Sequence, residues 1–140
     1  MPFKFLEKIA IADIAFEVKS KTLDGLFHDA GMAANDISVN AKTVKPKEKR
    51  KLSLKADSLE HLLYDFLSEI IYIKDTNGFL INKMSVKVDE KNHKLVVLLN
   101  GEKIDRKRHD LRNDLKAITM HMFLIEKRKT GWYARVVVDI

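Results

Sequence analysis

The strongest structural signal in this 140-residue chain is a run of apolar residues at helical spacing near its middle. The residues in this run are Leu59, Leu62, Leu63, Phe66, Leu67, Ile70 and Ile71. Intervals of three and four residues are typical of a helix that buries one face. Asp57 and Glu60 have capping-box spacing at its start, and Asn77-Gly78 is a turn signal at its end. The sequence therefore predicts a long amphipathic helix between these two signals.

Most other elements are predicted to be strands, because apolar and polar residues alternate along them. The predicted strands cover residues 12–18, 52–54, 84–88, 94–99, 115–126 and 131–140. Thr22 is a candidate N-cap for a further helix ending near Ile37, and Asn100-Gly101 is predicted to form a tight turn. We expect one domain over residues 1–140, with an α+β fold. Its two main helices would cover one face of a mixed or antiparallel sheet of six or seven strands, as a two-layer sandwich.

Composition excludes several classes of protein. The chain has no cysteine, which excludes disulfides, thiolate zinc sites and cysteine nucleophiles. It lacks the common phosphate-loop, zinc-protease, EF-hand and serine-hydrolase motifs. No apolar run approaches the roughly 18 residues of a membrane span, and the first residues do not resemble a signal peptide. A soluble intracellular protein of the cytoplasm is therefore expected.

The chain is basic, with 26 lysine and arginine residues against 20 acidic residues and a net charge of +6. Such a balance favours acidic partners, such as nucleic acid or an acidic protein face, although it is also compatible with plain solubility. Basic residues are concentrated at 42–55, 106–108 and 127–129. Two interpretations remain open for these stretches, contact with RNA phosphates and a solvated loop surface.

Two aspartates occupy positions where strands usually carry other residues. Asp13 interrupts the first apolar strand, and Asp139 lies one residue from the end of the last. If these two strands pair, both carboxylates converge with the terminal carboxylate of Ile140. Clustered anionic groups repel one another unless a cation lies among them, and oxygen ligands suit calcium or magnesium. The residues thus indicate a structural cation site, with solvated carboxylates as the alternative.

Five short motifs follow one another along nearly the whole chain. They are Ala10–Ala15 with its A-D-I core, the leucine-rich segment Asp57–Leu67, Gly101-Glu102 with Asp105 and Arg108-His109, Lys116–His121 (KAITMH), and Trp132 with Ala134, Asp139 and Ile140. In this order and spacing they resemble the motifs of the archease family.

The resemblance implies a protein that is not itself an enzyme. Archeases activate the GTP-dependent RNA ligase that joins tRNA halves, by promoting its guanylylation and repeated turnover. The resemblance also implies a divalent cation, usually calcium, held by Asp13, Asp139 and backbone or terminal oxygens of Ile140. Lys116 and His121 are predicted to contact the ligase. The alternative is a tRNA-binding or chaperone-like module that assists a tRNA methyltransferase.

Three residues near the first aspartate depart from the family pattern. Ala10, Ile11 and Ala15 replace histidine, threonine and glycine. The first two replacements remove polar groups that would orient Asp13. We therefore expect weaker metal affinity, or replacement of the ion by Lys116 or water, without a change of fold.

Overall fold

The computed structural model describes residues 3–6 and 13–140. The elements are β1 (Phe3–Leu6), β2 (Asp13–Ser20), α1 (Leu23–Ser38), β3 (Glu48–Lys55), α2 (Leu59–Asn77), β4 (Phe79–Asp89), β5 (Lys94–Lys103), β6 (Ala117–Arg128) and β7 (Gly131–Asp139). A short 3-10 helix covers Ala41–Thr43. The predicted α+β class, with two main helices and seven strands, is confirmed.

The strands are divided between two antiparallel sheets, whereas the sequence predicted a single sheet. One sheet has four strands in the order β1-β2-β7-β6, and the other has three in the order β3-β5-β4. Both helices contact both sheets, so one apolar core extends across them. This core includes the rings of Phe27 and Phe66, which stack with their centroids 6.2 Å apart. Trp132 packs against the core from a half-buried position.

The two helices begin and end at residues that satisfy their free backbone groups. The Thr22 hydroxyl accepts a hydrogen bond from the first turn of α1, as predicted. At α2 the cap is Ser58, whose hydroxyl accepts a hydrogen bond from the His61 backbone at 3.1 Å. The capping-box prediction from Asp57 was therefore wrong by one residue, because Ser58 has the extended backbone of an N-cap. Gly78 ends α2 in the left-handed conformation, with φ of +64°. No helix of the described part of the chain is long and apolar enough to cross a membrane.

The predicted turn at Asn100-Gly101 was wrong, because both residues lie inside β5. The pairing of β5 with β4 shifts by one residue between Ile81 and Lys83, which marks a β-bulge. A Cβ on Gly101 would lie 1.8 Å from the carbonyl oxygen of Leu80. The glycine is therefore explained by the close approach of β4, and the chain reverses instead at residues 90–93.

Candidate functional site

The two aspartates singled out from the sequence lie directly opposite each other. β2 and β7 pair in antiparallel register from Ser20 and Trp132 at one end to Asp13 and Asp139 at the other. Side chains of directly opposite residues lie on the same face of a sheet, with Cβ atoms about 5 Å apart. The structure thus confirms the predicted convergence of these two carboxyl groups.

The paired carboxyl groups are electrostatically unfavourable when both are ionised. A hydrogen bond with the Asp139 carboxyl, then burial, then repulsion from Asp139 raise the pKa of Asp13 above its usual value of 3.8. The nearby His121 imidazole lowers the same pKa. The aspartate pair therefore favours a shared proton or a bound cation, and both outcomes relieve the repulsion.

Lys116 and His121 both lie close to the aspartate pair, although they reach it differently. The backbone N–H of Lys116 donates a hydrogen bond to the carbonyl oxygen of Asp139 at 2.9 Å, and its side chain is exposed. His121 is an exposed residue of β6, near enough to influence the ionisation of Asp13. The structure thus places Lys116 and His121 beside Asp13 and Asp139, so the four predicted residues with polar side chains lie together.

An irregular segment of β6, which sequence reasoning missed, borders the aspartate pair. Pairing of β6 with β7 is regular up to Thr119 and resumes at Leu124, so the segment Met120–Phe123 bulges from the sheet. Met120 and Met122 are 53% and 43% exposed, and Met122 has a φ of +56°. The Arg135 Nε donates a hydrogen bond to the Met122 carbonyl oxygen at 2.9 Å, which fixes the bulge on β7. Apolar and polar residues alternate from Ile118 to Met122, and the alternation stops at Phe123, Leu124 and Ile125. This break in the pattern is the signal that the sequence offers.

The donor atoms of the aspartate pair fit a hard divalent cation in type but not in number. Calcium takes six to eight oxygen ligands, and carboxylates are its preferred donors. Within residues 3–6 and 13–140, no group of three or more histidine, cysteine, aspartate or glutamate side chains is arranged to hold a metal. Two carboxylates therefore need further oxygens from backbone groups, such as those of Ile140, and from water. Ala10 and Ile11 lie outside the described residues, whereas Ala15 is buried within β2.

A second polar cluster is centred on the buried side chains of Glu102 and His109 and has a structural role. The Glu102 carboxylate, on a residue only 4% exposed, accepts hydrogen bonds from the Lys45 backbone, from two guanidinium nitrogens of Arg108 and from the His109 Nε2. The Arg108 guanidinium, with further help from His109 and the Lys45 backbone, holds the pKa of Glu102 far below its usual range, against the effect of burial. The backbone N–H of Asp105 donates to the His109 Nδ1 at 2.8 Å. The Glu102 cluster thus fastens residues 105–109 and the loop at Lys45 to β5.

A cavity of about 520 Å³ lies between the end of α2 and the segment 104–114. Two of its basic side chains, Lys74 and Arg112, are already paired with carboxylates. The Lys74 Nζ lies 3.2 Å from Asp114, and Arg112 lies 2.8 Å from Asp36. The geometry of this cavity is therefore explained by ion pairs that hold the segment in place.

The similarity of this chain to known proteins covers nearly its whole length. Residues 3–140 match the model of the archease protein family. The archease of Pyrococcus abyssi (strain GE5 / Orsay) is 37% identical over 132 residues, covering 92% of this chain and 93% of that protein. The archease of Sulfurisphaera tokodaii is 33% identical over 138 residues, covering 99% of this chain and 98% of that protein.

Two solved structures resemble the fold. The solution structure of protein 1598 of Methanobacterium thermoautotrophicum has a TM-score of 0.83 at 31% identity and covers 99% of both chains. The crystal structure of a Thermotoga maritima archease, described as a possible chaperone, has a TM-score of 0.65 at 17% identity, with 94% of this chain and 93% of that chain covered. The family resemblance seen in the sequence is confirmed, and this chain belongs to the archease family.

Proposed function

We propose that this chain is a non-enzymatic, cytoplasmic activator of the GTP-dependent RNA ligase that joins tRNA halves. Its aspartate pair would hold a divalent cation, either calcium or another ion of similar chemistry. Membership of the archease family supports the general function. The observation that carries the site is the register of β2 and β7, which places Asp13 opposite Asp139.

The chain's own residues supply a surface suited to this role. Asp13 and Asp139 would contribute carboxylate oxygens, and the backbone of Ile140 would contribute a further one. A divalent cation bound there would neutralise the two carboxylates and polarise oxygen ligands presented by the partner. In our proposal the charged end of the sheet lies near the ligase's guanylylation centre and favours the nucleotide-accepting conformation of the ligase.

Residues around the aspartate pair are suited to contact with the ligase. The side chains of Lys116 and His121 are exposed next to the two carboxylates. Met120 and Met122 add two large exposed apolar side chains on the same segment. Methionine is common at protein-binding surfaces because its flexible side chain adapts to a partner. We propose that these four residues form the rim of the ligase contact.

The proposal is tested by multiple-turnover RNA ligation with the ligase limiting. Asp139→Asn keeps the size of the side chain but removes its charge, so stimulation of turnover should be lost. Asp65→Asn is the matched control, because Asp65 is an exposed aspartate on α2. Calcium titration by calorimetry provides a second measurement, in which Asp139→Asn should abolish the binding heat and Asp65→Asn should not. Undiminished stimulation by a folded Asp139→Asn variant would refute the role of this carboxylate.

The alternative function is that of a chaperone-like helper for a tRNA methyltransferase. It is favoured by the exposed methionines of the β6 bulge, since chaperones bind apolar segments of their clients. Replacing Met120 and Met122 with serine should then reduce recovery of soluble methyltransferase in co-refolding, whereas Asp139→Asn should leave that recovery unchanged. The reverse pattern would contradict this alternative.

A further inference from the structure

The outer face of the three-stranded sheet is built largely of lysine. The helices cover the other face of this sheet, so alternate residues of β3, β4 and β5 point to solvent. We call the solvent-facing positions the lysine face. They are Lys49, Lys51, Ser53, Lys55, Lys83, Ser85, Lys87, Asp89, Lys94, Val96, Leu98 and Asn100. Half of these positions are lysine, and Asp89 is the only acidic residue among them.

Nearly all of the excess positive charge of the molecule lies on this face. Six lysines and one aspartate give the lysine face a net charge of +5, against +6 for the whole chain. Among residues 3–6 and 13–140, none of these six lysines has a carboxylate within 4.0 Å. The other residues of the chain carry 20 positive and 19 negative charges, so the lysine face holds most of the net charge and attracts polyanions.

The register of the described strands gives most of these lysines no acidic residue as a direct neighbour. Lys94 lies between Lys55 on one side and Asp89 on the other. The remaining lysines of the face lie opposite Leu98, Val96 or Asn100. Within these three strands, five of the six lysines therefore have no acidic residue directly opposite, and a polyanion covering the face would supply the missing negative charge.

The chemistry of the face favours phosphates over an acidic protein surface. Protein interfaces are depleted in lysine and enriched in aromatic residues and arginine. The lysine face has neither an aromatic residue nor an arginine, and its only large apolar side chains are Val96 and Leu98 at its centre. Without aromatic rings it offers no platform on which single-stranded bases could stack. Lys49 and Lys51 are about 6.8 Å apart along β3, and Lys83 and Lys87 are about 13.6 Å apart along β4. Charges spread over three strands in this way instead suit the charged backbone of a double helix.

We infer that the lysine face binds the phosphate backbone of double-helical RNA, such as the stem of a structured RNA, without reading its sequence. The choice of RNA over DNA rests on the proposed function, whereas the preference for a duplex phosphate backbone rests on the face itself. The face is formed by the three-stranded sheet, and the aspartate pair belongs to the four-stranded sheet. The two surfaces can therefore be tested separately.

The test measures binding of the full chain to a fluorescein-labelled RNA hairpin by fluorescence anisotropy, without ligase. If all six lysines neutralise phosphates, raising the salt from 50 to 200 mM lowers the affinity about 10³-fold. The variant Lys51→Thr/Lys87→Thr/Lys94→Thr should bind the hairpin more weakly at 50 mM salt. Its affinity should fall only about 40-fold between 50 and 200 mM salt, because three phosphate contacts remain. Threonine is chosen because it is favourable in strands, so the sheet should be preserved, as circular dichroism would show.

The control variant Lys19→Thr/Lys107→Thr/Lys129→Thr removes the same charge from exposed positions outside the lysine face. It should keep the affinity and the salt dependence of the unmodified chain. The inference is overturned if the unmodified chain fails to bind the hairpin at 50 mM salt, or if the control loses as much affinity as the face variant. It is also overturned if single-stranded RNA, duplex DNA or polyglutamate binds the face more tightly than the hairpin. If the chain fails to bind the hairpin but stimulates the ligase normally, the RNA-binding inference is rejected and the proposed function stands. Loss of ligase stimulation in Asp139→Asn tests the proposed function and not the RNA-binding inference.

Discussion

Replacing Glu102 with glutamine would measure how much an ionised buried carboxylate contributes to the stability of this fold. The carboxylate accepts four hydrogen bonds, one from the Lys45 backbone, two from Arg108 and one from His109. Glutamine has nearly the same size, but it is neutral and its amide group turns one acceptor into a donor. One hydrogen bond is therefore lost, and the remaining ones are no longer assisted by charge.

The magnitude follows from the number of hydrogen bonds. A hydrogen bond to a charged group contributes about 1.5–3 kcal/mol, and one between neutral groups contributes about 0.5–1.5 kcal/mol. The Arg108 side chain is 34% exposed, so solvent screens part of its contribution. A loss of about 1 kcal/mol for each of two or three bonds gives a decrease of about 2–3 kcal/mol in the free energy of unfolding. For a chain of this length, that corresponds to a decrease of about 7–10 °C in Tm.

Urea unfolding followed by circular dichroism would measure this difference, with Glu126→Gln as the control. Glu126 forms an ion pair with Arg128, but both side chains are more than 40% exposed, so a loss below about 1 kcal/mol is expected. The pH dependence provides an independent check. Because the pKa of Glu102 is lower in the folded chain than its usual value of 4.5, its stabilising effect is complete above that pH and is lost below it.

The difference between the two proteins should therefore decrease below pH 4.5, by up to about 1.4 kcal/mol per pH unit. Equal urea midpoints for Glu102→Gln and the unmodified chain at pH 7 would refute the reasoning. So would a difference in unfolding free energy that is the same at pH 7 and at pH 3.

Three further predictions concern single residues. In the metal-free chain, NMR titration should give Asp13 a pKa above 3.8, because Asp139 disfavours its ionisation. The folded state therefore loses stability as the pH rises through that pKa. Asp139→Asn or bound calcium should lower the pKa of Asp13. A pKa of Asp13 that is unchanged in Asp139→Asn would contradict this. Gly101→Ala should reduce the free energy of unfolding by about 3 kcal/mol or more, because the Cβ of the alanine would meet the Leu80 carbonyl oxygen. A urea midpoint near that of the unmodified chain would instead show that β4 moves away freely. Ser58→Ala should lower the free energy of unfolding by about 1 kcal/mol in the same assay, because the N-cap of α2 is lost. Asp57→Ala should lower it by less if Ser58 is the cap.

Elements fixed by local signals were predicted well from the sequence. Both helices were located because each has a periodic apolar face, and Thr22 also marked the start of α1, whereas the cap of α2 was placed one residue too early. The pairing of Asp13 with Asp139 was also anticipated, because aspartate is unusual within strands and both residues lie at strand ends. In these cases the residues that carry the signal are the same residues that form the structure.

Features that depend on pairing between distant segments were not predictable in this way. Asn100-Gly101 has the composition of a turn, yet the need for glycine arises from Leu80, a residue of another strand. The bulge at Met120–Phe123 depends on the register with β7, which the sequence of β6 alone does not specify. The lysine face likewise combines three segments of the chain, and its charge became evident only with the strand order β3-β5-β4.

The bulge of β6 also affects how molecules of this protein behave in concentrated solution. β6 is an edge strand of the four-stranded sheet, with backbone groups open to a strand from another molecule. The segment Met120–Phe123 interrupts this edge, so a foreign strand can pair with only a short stretch on either side. Lysines along the β3 edge of the other sheet repel an identical strand in a similar way. A deletion that straightened β6 would therefore be expected to promote fibril formation even if each molecule remained folded.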